Sequence, residues 1–372
     1  MVDYQKIKIE EVEYFIIDAI QDFRAEDSFI HNDNKLARFS GNGESKKHVG
    51  TYKGDLGDRM SNFFNYSKWG LDHSDSNKNN WKTINSAKDA GAVISENRCF
   101  FSKTNLLKYL NDAKTEYYAQ EQNYHNNISQ FYSERLEQVQ NLSSNHIFFS
   151  IYDASDSLSK KQNRGYIRSD DKVWSIWRKL ILPSISYLSI LKLVPVDNPS
   201  KEPLFYFRIL LDYQFRSFVH PKETGEELKD EPAVVESKKR AHRQGADKYR
   251  KDVLNFMAQC PFTLITDERL LIASHIKPYS VCINENNEKE ALDYLNGLAL
   301  SPTYDKLFDQ GYITFTDSGE LICGTQLSSY TWEKLKINPN AKNKMRIFPE
   351  NRENYLDYHR KMVFQDDIED LI

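Results

Sequence analysis

Four side chains in the last third of this 372-residue chain have types and spacing suited to hydrolysis: His275, Asn296, Asp305 and Asp309. A histidine near its ordinary pKa of about 6.5 can take a proton from water at neutral pH. Its ring must be held in one tautomer and one orientation, which an Asn side chain or a backbone carbonyl can do. Two carboxylates offer oxygen ligands to a hard divalent cation, which offsets the charge that builds on a phosphorane. Together these are the requirements of phosphodiester hydrolysis. The spacing predicts a strand ending at His275, a loop, a second strand starting at Asn296, and a helix carrying Asp305 and Asp309. Four residues apart, the two aspartates share one helix face. Each residue also has a plainer reading. His275 suits a buried structural histidine, Asn296-Gly297 is a turn signal, and Asp309 suits bonding of backbone amides near Gly311. Lys277 is either a phosphate contact or a solvent-exposed lysine. His359 and Arg360, on an expected terminal helix, read first as packing residues.

The same stretch resembles the HNH (ββα-metal) endonuclease family, in its restriction-enzyme-like branch. The resemblance begins at Arg243-Gln244-Gly245 with Tyr249-Arg250, passes through Cys260, and takes in Ala273-Ser274-His275-Ile276-Lys277-Pro278 and Asn296-Gly297-Leu298. It continues through Leu307-Phe308-Asp309-Gln310-Gly311 and the apolar Tyr312-Ile313-Thr314-Phe315, and ends with Tyr355-Leu356-Asp357-Tyr358-His359-Arg360 and Phe364. It implies that His275 is the general base and Asn296 the middle residue of the motif. Asp305 then stands where many members carry the last histidine, and Asp309 where some carry another metal-binding histidine. Ser274 departs from the acid or histidine that many members have there. The resemblance therefore implies a catalytic set of His275, Asn296 and Asp305. It also implies one Mg²⁺ or Mn²⁺ on oxygen ligands, drawn from Asp305, Asp309 and Asn296, rather than a histidine-rich zinc site.

Upstream, between Glu236 and Lys251, seven basic residues face two acids, Glu236 and Asp247. A charge run by itself reads as a solvated helix face; before a nuclease motif it reads as phosphate contact. Lys238, Lys239, Arg240, Arg243, Lys248, Arg250 and Lys277 are the expected DNA contacts. The formal net charge of −4 neither supports nor excludes a nucleic-acid partner, so the local distribution decides.

Elements must position these groups. At this length two domains are expected, and the composition, 40% hydrophobic and 28% charged, is that of a globular protein. The fold class expected is α+β. An N-terminal α+β recognition or sensor domain would span 1–222, a linker 223–235 (within the charged stretch His220–Val235, which has two prolines and a glycine) and a nuclease domain 236–372. Val12–Ile17 is of helix or strand type, and 32–88 is polar and loop-like. Ser102–Leu142 has helical spacing with a cap at Ser102 or Thr104. Strands are expected at His146–Tyr152, Ile185–Val196 and Pro203–Phe215, and a helix at Trp174–Leu182. The four cysteines stand far apart, which argues against disulfides and a four-cysteine zinc site. No apolar run suits a membrane span and the N-terminus does not read as a signal peptide, so a cytoplasmic location is expected. The function this implies is a type II-like restriction endonuclease acting on double-stranded DNA. A homodimer is expected, with room for a cognate methyltransferase partner. The alternatives are a defence nuclease activated by a signal sensed by the N-terminal domain, and an inactive DNA-binding HNH protein. On this division a fragment from about Ala233 to Ile372 folds and nicks DNA weakly.

Overall fold

The computed structural model describes residues 4–24, 48–52, 63–64, 84–91, 94–119, 124, 127–158, 163–182, 185–212, 215, 245–341, 344–345 and 350–371. The expected linker, 223–235, lies outside these, as does much of the polar stretch 32–88. The chain forms two compact units. One comprises Met1–Ser217, Thr325–Asn340 and Asp366–Ile372; the other comprises Phe218–Gly324 and Ala341–Gln365.

The described strands of the first unit are β1 (Lys6–Ile9), β2 (Val12–Arg24), β3 (His48–Tyr52), β4 (Cys99–Ser102), β5 (His146–Phe149), β6 (Asp153–Leu158), β7 (Asn163–Arg168), β8 (Ser186–Pro195) and β9 (Leu204–Leu211). They make one sheet in the order β5-β4-β9-β8-β2-β3-β7-β6, with β1 paired to the start of β2. Only the β4–β9 pair among them is parallel. The helices are α1 (Ile84–Asp89), α2 (Lys103–Asp112), α3 (Lys114–Tyr118), α4 (Gln130–Gln140) and α5 (Lys172–Leu180), with a short helix at Ser329–Leu335. Ser102 caps α2 by accepting from the Asn105 N–H, and Asp171 caps α5 through the Val173 N–H.

Leu106, Tyr109 and Leu110 of α2 and Trp174, Trp177 and Leu180 of α5 pack in one core with Phe205, Phe207 and Ile209 of β9. Tyr206, Leu191, Leu193, Ile7 and Ile9 form a second cluster, joined by Leu371. Alternate residues of β9 thus enter different cores. A strand covered on both faces reads as a continuous apolar run, as β9 does in the sequence. Arg208 interrupts this run and is fully buried. Its guanidinium pairs with Asp366 and Asp370 and donates to Ser189 Oγ at 2.9 Å and Thr325 Oγ1 at 2.8 Å. Lys108 Nζ pairs with the buried Asp367 at 2.9 Å. Burial and the charge of Asp367 push the Asp370 carboxyl up to about 8, against the pull of Arg208. For Asp367, Lys108 and Arg208 outweigh burial and hold the carboxyl below its ordinary value.

Thr325–Asn340 and Asp366–Ile372, which the sequence reading places within 236–372, group with the first unit, where Thr325 and Asp366 meet the buried Arg208.

The second unit contains α6 (Ala246–Phe256), β10 (Ile272–His275), α7 (Tyr279–Asn284), α8 (Glu288–Ala291), β11 (Gly297–Leu300), α9 (Pro302–Asp309), β12 (Ile313–Phe315), β13 (Leu321–Cys323) and α10 (Glu353–Tyr358). β10 pairs antiparallel with β11, and β12 with β13. The expected strand, strand and helix occur in order, with two short helices inside the expected loop. A 3₁₀ turn, Tyr294–Asn296, precedes β11, so Asn296-Gly297 is a turn into a strand and not the tip of a hairpin. Gly311 ends α9 at φ +68°, where a Cβ would stand 2.2 Å from the Val363 carbonyl oxygen; only glycine fits there. His359 is buried and stacked on Phe308 at 3.8 Å. Its Nε2–H donates to the Phe308 carbonyl at 3.1 Å, and Nδ1 accepts from the Thr314 hydroxyl at 3.0 Å. Burial holds its pKa down to about 3, so it is a neutral packing residue. All four cysteines are buried. Among the described residues, no helix is long and apolar enough to cross a membrane.

Candidate active site

His275 closes β10 opposite Gly297, and Ser274 stands opposite Leu298. Successive strand residues point to opposite faces, so the β10–β11 ribbon presents two. The face of His275 and Gly297 meets α6. There the Tyr249 ring stacks on the imidazole at 4.2 Å and 15°, and the Tyr249 hydroxyl donates to the Asn296 carbonyl at 3.1 Å. That approach requires Gly297, because a Cβ would stand 2.5 Å from Val253 Cγ2 and 2.6 Å from the Tyr249 hydroxyl oxygen. Gly245, just before α6, has φ +88° and leaves room for Leu292. On the opposite face the Ser274 hydroxyl stands near the carboxyl of Asp305, in the first turn of α9, and favours its ionised form.

The imidazole of His275 is held on three sides. Nε2 lies 3.0 Å from the Ala291 carbonyl. A carbonyl only accepts, so Nε2 carries the hydrogen and Nδ1 is the basic nitrogen of the neutral ring. Tyr249 covers one ring face and Tyr279 meets the ring edge-on at 5.8 Å. A pocket of about 170 Å³ opens beside it, lined by Ala246, Arg250, Ile272 and Leu292 among others.

Asn296 is engaged with backbone. It is fully buried. Its Oδ1 accepts from the Lys277 N–H at 2.7 Å, and its Nδ2 donates to the carbonyls of Lys277 at 3.0 Å and Glu290 at 3.1 Å. Both ends of the amide are spent on backbone, so Asn296 clamps the segment between β10 and β11. The group that meets the His275 ring nitrogen is the Ala291 carbonyl.

Residues 260–316, from just before β10 to just after β12, match the family model described as HNH endonuclease. The segment is an HNH endonuclease domain. No curated protein matches the chain.

Within the HNH domain the carboxylates differ. Asp305 is half-buried; burial raises its carboxyl above the usual range, the neighbouring Asp309 adds to this, and Ser274 opposes it. Asp309 is exposed and takes the Gln310 side-chain amide at 3.3 Å. The Gly311 N–H goes to the Phe308 carbonyl, so it is not what Asp309 binds. Two carboxylates one turn apart, one of them pushed up by the other's charge, fit a cation. The hard oxygens of Asp305, Asp309 and Ser274 suit Mg²⁺ or Mn²⁺, which bind through one or two carboxylates and keep several waters. Among the described residues no three His, Cys, Asp or Glu gather as a metal cluster.

The expected DNA contacts divide. Lys238, Lys239, Arg240 and Arg243 lie outside the described residues. Lys248 and Lys251 are exposed on α6. Arg250 is spent on the backbone, donating to the carbonyls of Leu271 and Glu268. Lys277 is only 5% exposed, and its ammonium is held by Glu285 and Glu290. Burial pulls its pKa down, but those two hydrogen bonds outweigh it and hold the ammonium charged. Lys277 thus holds Glu285 and Glu290 together from a buried position. Sequence reasoning missed the stacking role of Tyr249. It also missed Arg352, whose buried Nε donates to the Gly297 carbonyl at 3.2 Å. The aromatic residue four positions after Gly245 and four before Val253 was visible in the sequence; what it would face was not.

Proposed function

We propose that this protein is a metal-dependent DNA endonuclease of the restriction type, with His275 as its general base. The observation that carries the reading is the fixed imidazole at the end of β10 inside an HNH domain. Nδ1 of His275 takes a proton from water, while the Ala291 carbonyl keeps the hydrogen on Nε2 and favours the imidazolium that results. Asp305, with Asp309 and Ser274, would hold Mg²⁺ or Mn²⁺. A divalent cation there supplies charge to offset the phosphorane and the leaving oxygen. His275 and Asp305 lie on opposite faces of the ribbon, so the scissile phosphate sits beyond its end, where side chains of both faces reach. The large first unit selects the sequence on double-stranded DNA, Lys248 and Lys251 meet phosphates, and a cognate methyltransferase protects host sites. A two-fold dimer presents two centres to antiparallel strands.

Digestion of supercoiled plasmid tests this. With Mg²⁺ the wild type should give discrete bands, and none with EDTA. His275→Ala should cut about 10²–10⁴-fold more slowly while binding DNA as before. Cutting by that variant within a few-fold of wild type, or undiminished cutting in EDTA, would overturn the reading.

A further inference from the structure

We propose that Tyr249 is the residue that positions His275 for proton transfer, an inference that rests on reading His275 as the base. Three observations meet at this tyrosine. Its ring lies nearly parallel to the imidazole, at 4.2 Å and 15°. Its hydroxyl is anchored on the Asn296 carbonyl, and burial holds the phenol far above its ordinary pKa, so it remains a protonated donor. Gly297, opposite His275, has no side chain where the hydroxyl enters.

The geometry shows what the stack adds. The hydrogen bond from Nε2 to the Ala291 carbonyl fixes one point of the ring, and what packs against the ring sets its plane. A flat aromatic face on one side and Tyr279 edge-on fix the direction in which Nδ1 points. Proton transfer depends steeply on that direction. The face of an aromatic ring also favours the imidazolium that forms. Tyr249 touches neither water nor phosphate in this role; it acts through His275.

A double-mutant cycle on the full-length protein reads this out. Single-turnover plasmid nicking at saturating enzyme and Mg²⁺ is compared for wild type, Tyr249→Phe, Tyr249→Leu, His275→Ala and Tyr249→Leu with His275→Ala. Tyr249→Phe keeps the ring face and should stay near wild type. Tyr249→Leu should lose up to about 10²-fold in rate, the scale of a small misplacement, with unchanged DNA affinity. In the His275→Ala background Tyr249→Leu should cost nothing further. An equal loss in both backgrounds, or equal losses for Phe and Leu, would overturn the proposal and leave the base assignment standing. Wild-type cutting by His275→Ala would overturn the base assignment, and the proposal with it. If Tyr249→Leu melts below the assay temperature, Tyr249→Met, which fills the volume without a ring face, replaces it in the same cycle with the same two outcomes.

Discussion

Asp305 and Asp309 are one helical turn apart, yet their surroundings assign them different weight. Asp305 is half-buried near Ser274, with burial raising its carboxyl; Asp309 is exposed and meets only the neighbouring Gln310 amide among the contacts described. A carboxylate held in place loses less freedom on binding a cation, and its like-charge strain is relieved by it. Asp305→Asn should therefore raise the Mg²⁺ concentration needed for half-maximal cutting by roughly tenfold or more, about 1.4 kcal/mol. Asp309→Asn should raise it by less. A metal titration of cleavage rate checks this, and equal shifts would sink the distinction. At this scale the sequence identified groups better than it identified roles. His275, Asn296 and Asp305 stood out by type and spacing. That Asn296 spends its amide on Lys277 and Glu290, and that Lys277 is buried between two glutamates, depends on how residues 276–295 fold back. No spacing rule encodes that path.

At the scale of elements, long patterns were legible and short ones were not. Ser102 caps α2 as expected, and the strand ending at His275 and the helix carrying Asp305 and Asp309 fall where the spacing put them. β9 betrayed its two-sided burial by an apolar run interrupted only by Arg208. Helices α7 and α8, of six and four residues, complete too few turns to show a period, so they read as loop. What shapes them is the Asn296 clamp. Asn296→Ala would leave buried groups of Lys277 and Glu290 unpaired, at about 1–3 kcal/mol for each unsatisfied group. The expected outcome is a clearly lowered melting temperature, with metal affinity unchanged in whatever fraction remains folded. Thermal melting with a Mg²⁺ titration below the transition measures both. A variant that melts like wild type but binds the cation weakly would restore Asn296 to the ligand set.

At the scale of the whole molecule, the order of the chain is not the order of its folded parts. Thr325–Asn340 and Asp366–Ile372 belong with the first unit, and the reason is visible at Arg208. A fully buried guanidinium is tolerated because Asp366 and Asp370 pair with one terminal nitrogen and Ser189 and Thr325 accept from the other. In sequence Arg208 is a lone charge in an apolar strand, and Thr325, Asp366 and Asp370 lie more than 100 positions away, so neither the pairing nor the interleaved division could be read there. Cutting the chain near residue 222, where composition places the boundary, separates the arginine from its acids. Breaking a buried ion pair by removing one partner costs about 3–5 kcal/mol, a large share of a domain's total of about 5–15 kcal/mol. Lys108 would also lose Asp367, and the second apolar cluster would lose Leu371. A fragment Met1–Ser217 should consequently show no cooperative thermal transition, or one far below that of the full chain. The fragment from Ala233 to Ile372 would in turn carry two segments without the surface they pack on. Circular dichroism melts of Met1–Ser217 beside the full-length protein decide the matter. A sharp transition in the fragment, within a few degrees of the full chain, would show that the C-terminal aspartates are dispensable and that the sequence boundary was the folding boundary after all.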